Sequence, residues 1–197
     1  MTTQQPKTMS KTEKFIEFVL DRTSKDNGAR ARLTRSLRPD GDIASDALWI
    51  IGGWLPDDDD KALIWARVAA MCAKYTKHPQ RRGDEQTKTS AQSSLAGQLS
   101  AQSVNETSAE RLLEHITRDG LTVSERLNHL ARALEICPDR QRININWAWL
   151  IFDMERLSRG GDAALGVRRR WYRNYHRVRD VEPTNVGETP ERKSHYG

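Results

Sequence analysis

The stretch Thr122-Val123-Ser124-Glu125-Arg126-Leu127-Asn128-His129-Leu130-Ala131-Arg132-Ala133-Leu134-Glu135-Ile136 decides the fold class. Val123, Leu127, Leu130 and Leu134 recur at i, i+4, i+7 and i+11, the period of one apolar face of an α-helix. Thr122 and Glu125 stand at capping-box spacing: the hydroxyl accepts a backbone N–H of the first turn while the acid reaches back to the cap. The pattern predicts an amphipathic core helix, stopped by Pro138. The same start signal recurs in Ser10 with Glu13 and Thr107 with Glu110.

Outward from this segment the chain reads as helix after helix. The first carries Phe15, Ile16, Val19 and Leu20; a second opens near Ser24, aligns Ala29, Leu33 and Leu37, and ends at Pro39-Asp40-Gly41. A short helix over 44–51 and the turn Gly52-Gly53 lead to a long one from about Asp57 to Tyr75, with Leu63, Ile64, Arg67, Val68 and Met71 on its stripes. Shorter helices are expected over 93–101 and 109–117. Ile143-Asn144-Ile145-Asn146 alternates like a strand but reads as an extended linker, because Asn146 can cap a helix from Trp147 to about Leu157. Gly160-Gly161 ends that helix, and Asp162 opens the last one. The predicted architecture is all-α. Two small helical bundles, 10–104 and 105–180, pack together, with a basic mid-chain loop from Thr76 to Ala91, disordered termini, and a disordered tail over 181–197 holding Pro183, Gly187 and Pro190.

Charge is more informative in its distribution than in its sum of +5 over 197 residues. The acids gather at helix starts, above all in Asp57-Asp58-Asp59-Asp60, where carboxylates favour the exposed N–H groups of a first turn; this reading makes them dipole partners, with no metal ligands. The cations form runs. Arg30, Arg32, Arg35 and Arg38 lie near the N-terminus, Lys77, Arg81 and Arg82 in the loop, and Arg168-Arg169-Arg170-Trp171-Tyr172-Arg173-Asn174-Tyr175-His176-Arg177-Val178-Arg179 near the end. On a helical wheel Leu165, Trp171, Tyr175 and Val178 share one face of that last run, while Arg169, Arg170, Arg173 and Arg177 form a ridge on the other. Few acids neighbour these arginines in sequence, so intrahelical ion pairs do not account for them. The candidate nucleic-acid-binding residues are therefore Arg30, Arg32, Arg35, Arg38, Lys77, Arg81, Arg82, Arg169, Arg170, Arg173 and Arg177. Trp49, Trp65, Trp147 and Trp171 lie on apolar stripes and are expected in the core; Tyr172 is the better surface candidate for base stacking.

Catalytic chemistry has little support. The chain lacks a glycine-rich phosphate loop, a Cys-x-x-Cys pair and a His-Glu-x-x-His segment. Its five histidines are isolated, and Asp153 and Glu155, two apart on a helix, face different directions. No catalytic residue, metal site or cofactor is expected. Cys72 and Cys137 fall in apolar helical patterns and read as buried free thiols of a reducing cytoplasm. No apolar run approaches the roughly 18 residues of a membrane span. Of three classes considered, a noncatalytic nucleic-acid-binding subunit is favoured over a helix-turn-helix regulator and a nuclease. Leu127, Leu130 and Leu134 make the helix after Gly120 a core helix, and no clustered carboxylates could hold two divalent ions.

A family resemblance points the same way. It is carried in order by Asn27-Gly28-Ala29-Arg30-Ala31-Arg32-Leu33-Thr34-Arg35, Ser94-Leu95, Arg111-Leu112-Leu113, Arg126 to Leu134, Ile145-Asn146-Trp147-Ala148-Trp149-Leu150 and Arg170-Trp171-Tyr172-Arg173-Asn174-Tyr175. Together these segments resemble the small subunit of the type I-E CRISPR Cascade surveillance complex, the CasB family. The resemblance implies an all-helical, noncatalytic assembly part that sits as a pair along a crRNA-bound backbone. Its implied partners are crRNA, target DNA and the displaced DNA strand, the backbone and large subunits, and a second copy of itself. Arg30, Arg32 and Arg35 fall on the family's N-terminal basic motif, and Arg169, Arg170 and Arg173 within its C-terminal one. A Gly-Arg pair of the family pattern is replaced here by Ala96-Gly97.

Overall fold

The computed structural model describes residues 9–37, 43–76, 92–102, 106–137 and 143–181. These residues form α1 (Lys11–Lys25), α2 (Asn27–Arg35), α3 (Ser45–Ile51), a 3-10 turn (Gly52–Trp54), α4 (Asp59–Tyr75), α5 (Leu95–Gln102), α6 (Glu106–Thr117), α7 (Val123–Glu135), α8 (Trp147–Arg159) and α9 (Gly161–Val181). No strand occurs among them. None of the helices is long and apolar enough to cross a membrane. The expected basic loop, apart from Thr76, and the tail beyond Val181 lie outside the described residues, as do Pro39-Asp40-Gly41 and Pro138.

Local chemistry sets most helix starts. Ser10 and Thr122 each complete a capping box, with Glu13 and Glu125 reaching back to the cap N–H. Asp58 accepts from the Lys61 N–H at 2.9 Å and leaves Asp59 and Asp60 in the first turn of α4, so the aspartate run does serve a helix N-terminus. Two starts differ from the sequence reading. The second helix opens after Asp26, whose carboxylate accepts from the Ala29 N–H at 3.0 Å; the Ser24 hydroxyl instead donates to the Asp21 carbonyl within α1. An Asp in extended conformation is the stronger cap, since a serine already inside a helical turn has a carbonyl within reach. Thr107 lies inside the first turn of α6, which begins at Glu106, and so is not an N-cap.

α4 is the centre of the molecule. Every residue from Ile64 to Ala73 is buried, and so is Tyr75, because α1, α2, α7 and α8 all pack on it. The expected stripes are thus a fully enclosed helix, and the small side chains Ala66, Ala69, Ala70 and Ala73 let the surrounding helices come close. Buried polar tips are tied down: Trp65 Nε1 donates to Glu155 Oε1 at 2.8 Å, and Trp147 Nε1 donates to Thr76 Oγ1 at 3.1 Å. Arg126, 2 % exposed, donates to the Ile116 and Arg118 carbonyls and closes the C-terminal end of α6. Val123, Leu127, Leu130 and Leu134 are buried, as their spacing required.

Residues 143–146 are extended without a sheet. The Asn144 N–H donates to Gln98 Oε1 at 3.0 Å and the Asn146 N–H to the Ser93 carbonyl at 2.9 Å, so the entry to α5 satisfies this backbone. One set of buried side chains runs from Phe15 to Tyr175. α5 packs chiefly on α9, while α8 lies against α1, α4 and α9.

Two apolar assignments are corrected. Trp49 is 87 % exposed: α3 buries only Ala47 and Ile51, one turn apart, which places Trp49 on the opposite side. Leu165 is on the flank of α9, whose buried side is Ala164, Val167, Trp171, Asn174, Tyr175 and Val178. Trp65, Trp147 and Trp171 are buried as expected. Cys72 and Cys137 are buried free thiols.

Candidate nucleic-acid interface

α9 starts where Gly160 and Gly161 turn the chain with φ of 74° and 58°, values that glycine adopts without a Cβ clash. The helix then runs for 21 residues. With Trp171, Tyr175 and Val178 turned inward, Arg169, Arg173 and Arg177 recur every fourth residue on its exposed side. That is the ridge expected from the sequence, with three of its four arginines facing solvent.

The remaining arginines of the run are engaged by acids from other helices. Arg168 makes a two-pronged contact with Asp119 in the α6–α7 turn, its Nη1 at 2.8 Å from Oδ2. Arg179 lies 3.8 Å from Glu110 of α6. Arg170 pairs with Asp153 of α8, which also accepts from Trp171 Nε1 at 2.7 Å. The sequence reading concerned only pairs within the helix; these three pairs are formed with other elements. Hydrogen bonding by Arg168 holds the Asp119 carboxyl below the usual carboxylate range. Burial pushes the Asp153 carboxyl up, against the opposing pull of Trp171 and Arg170.

In the N-terminal run Arg30 is half-buried and donates to the Thr76 carbonyl at the end of α4, joining α2 to α4. Arg32 and Arg35 are exposed. Arg38, Lys77, Arg81 and Arg82 lie outside the described residues. Among those described, no group of three metal-ligating side chains comes together.

Beside the α9 ridge, α8, α9 and the entry to α5 enclose a groove of about 450 Å³, lined by Ser94, Asn146, Trp149, Arg170, Arg173 and Arg177, with Asp153 at its inner wall. Trp149 is 55 % exposed. Its ring meets Phe152 edge-on at 5.8 Å, and the Arg170 guanidinium lies 5.9 Å from its centroid. Sequence reasoning did not single out Trp149, although a signal was present: in Trp147-Ala148-Trp149 the two indoles are 200° apart on a helix, so only one can face the core. Tyr172, the expected surface aromatic, is half-buried.

Taken together, these features define an all-helical protein with a cationic ridge and an aromatic groove on one side of its last two helices. Residues 29–176 match the family described as CRISPR-associated protein Cse2, and the chain belongs to that family. It is the family of the type I-E Cascade small subunit, CasB, to which the sequence resemblance also leads. Among solved structures the chain is similar to one titled "CRISPR RNA-guided surveillance complex, pre-nicking", with 26% identity, a TM-score of 0.62, and coverage of 87% of this chain and 94% of that one. A second, titled "CRISPR RNA-guided surveillance complex", is 25% identical with a TM-score of 0.61 and the same coverage. No curated protein matches the chain.

Proposed function

We propose that this protein is the noncatalytic small subunit of a crRNA-guided surveillance complex, and that its basic helix surfaces hold crRNA, target DNA or the displaced strand and so stabilise the R-loop. The observation that carries the reading is the strip Arg169, Arg173 and Arg177, exposed at four-residue intervals while Arg168 and Arg170 are half-buried and paired with acids. Exposed guanidiniums spaced along a helix meet successive phosphates without reading base edges, which gives salt-dependent, sequence-indifferent binding. Family membership and the likeness to surveillance-complex chains support the assembly in which this occurs. The chain's partners there would be the backbone and large subunits and a second copy of itself.

The test uses complex reconstituted with Arg32→Ala/Arg35→Ala or Arg169→Ala/Arg173→Ala protein. Helicity is expected to be unchanged, since removing exposed charge shifts stability by less than about 0.5 kcal/mol. R-loop lifetime is expected to shorten, and the salt slope of DNA binding to fall by roughly 0.7–0.9 per lost phosphate contact. Unchanged lifetime and salt slope in both variants would refute the proposal, and magnesium-dependent cleavage by the pure protein would refute its noncatalytic part.

A further inference from the structure

We propose that the groove between α8 and α9 seats one unpaired nucleotide, its base stacked on Trp149 and its phosphate held by Arg173 and Arg177. This rests on the nucleic-acid reading above and deepens it, naming the form of the ligand and the residues that select it.

Three observations lead there. First, the groove's volume of about 450 Å³ lies within the roughly 300–1,000 Å³ of small-ligand sites. Second, its charge is set for an anion: three guanidiniums line it against one carboxylate. That carboxylate, Asp153, is only 6 % exposed and already engaged by Arg170 and Trp171. Arg173 and Arg177, one turn apart on α9, are left to face an incoming phosphate together. Third, an indole more than half exposed beside those cations offers flat apolar surface for a base; Phe152 meets its ring edge-on, and the Arg170 guanidinium lies over the ring, 5.9 Å from its centroid.

The form of the ligand follows from the stacking. In a duplex both faces of a base are covered by neighbouring base pairs, so an indole can take up only a base that has left the stack. Two of the polar groups beside the ring are committed to the fold through their oxygens. The Ser94 hydroxyl accepts from the Gly97 N–H at 3.1 Å, and the Asn146 side-chain oxygen accepts from the Trp149 N–H at 3.1 Å, so both serve helix N-termini. The geometry therefore points to preference for single strands.

The experiment compares the full-length protein with its Trp149→Ala, Trp149→Phe and Arg173→Ala/Arg177→Ala variants against three probes: a short oligothymidylate, an abasic strand of equal length, and a duplex. Oligothymidylate is expected to quench indole fluorescence, and Trp149→Phe to abolish most of that quenching while keeping most of the affinity. Trp149→Ala should lose roughly tenfold in affinity for oligothymidylate and little for the abasic strand. The arginine pair should weaken both and lower the salt slope. Binding of oligothymidylate by Trp149→Ala as tightly as by the parent, with salt dependence retained, would overturn the groove assignment and leave the nucleic-acid reading standing. Absence of binding to any probe, by the protein or its assembled complex, would overturn both. Poor incorporation of Trp149→Ala into the complex with unchanged oligothymidylate affinity would mark the groove as a protein contact and also overturn the assignment. Thermal melting of each variant establishes that it is folded.

Discussion

Asp153→Ala is expected to destabilise the fold far more than any change on the arginine ridge beside it. The carboxylate is 6 % exposed and accepts from Trp171 Nε1 at 2.7 Å, and Trp171 is itself 1 % exposed. Truncation leaves that indole N–H buried without its acceptor, at a cost of about 1–3 kcal/mol. The vacated carboxyl adds about 1 kcal/mol of lost contact. Arg170, with a third of its side chain exposed, can turn to water, so its share of the ion pair is discounted rather than counted as a stranded charge. Relief of a buried charge offsets part of the loss, leaving a net of roughly 2–3 kcal/mol, a large fraction of the ~5–15 kcal/mol of a typical domain. Asp153→Asn keeps one oxygen for Trp171 but sets an amide against Arg170, and is expected to cost about 1 kcal/mol. Urea denaturation followed by circular dichroism measures both, with the midpoint moved and the slope kept. Stability should also depend on pH with a definite sign. Burial raises the Asp153 pKa, so its ionised form is disfavoured in the fold. Below the ordinary value of 3.8 this group brings no penalty; as pH rises through its elevated pKa, stability is lost. The Asp153→Asn variant lacks that loss, so the parent's advantage over it should be smaller at neutral pH than near pH 3.8. An Asp153→Ala cost below about 0.5 kcal/mol, or an Asp153→Asn variant less stable than Asp153→Ala, would refute the reasoning.

Three further outcomes are expected. Thr122→Ala removes the side-chain half of the α7 capping box and should cost about 1 kcal/mol by urea denaturation. Glu125 of the same box should titrate below the ordinary 4.5 in a carboxyl-detected NMR experiment, because the Thr122 N–H favours its ionised form; its contribution is present above 4.5 and is lost as pH falls through its lowered pKa. Cys72, its thiol pushed up to about 12 by burial, should resist a thiol-specific reagent in mildly alkaline buffer until urea unfolds the protein, and rapid labelling of Cys72 in the native state would contradict its placement.

Periodicity and capping are local properties, and they alone determined much of this protein's architecture. Thr122 with Glu125 and the spacing of Val123, Leu127, Leu130 and Leu134 prescribed α7, its start and its buried side, because an N-cap bond and a 100° step depend only on residues within a turn or two. The Gly160-Gly161 turn and the alternation of cations with aromatics prescribed α9 and its ridge in the same way. Where the governing contact was longer in range, the sequence was silent. Arg30 and Arg32 look alike in Arg30-Ala31-Arg32, yet Arg30 is drawn to the Thr76 carbonyl 46 residues away while Arg32 faces water. Asp153 took Arg170 out of the expected ridge, and Asp119 and Glu110 pair with Arg168 and Arg179 of the same run; none of those acids is a neighbour in sequence. Trp49 and Trp149 both sit among apolar residues, and only the packing of α3 and α8 left each of them outside. A side chain's capacity to bury or to pair is written in its type, but its partner is chosen by which helices cross it. The helices and the sign of their surfaces were therefore legible in the chain, whereas the selection of Arg169, Arg173, Arg177 and Trp149 as the accessible set came only from the tertiary packing of α5, α8 and α9.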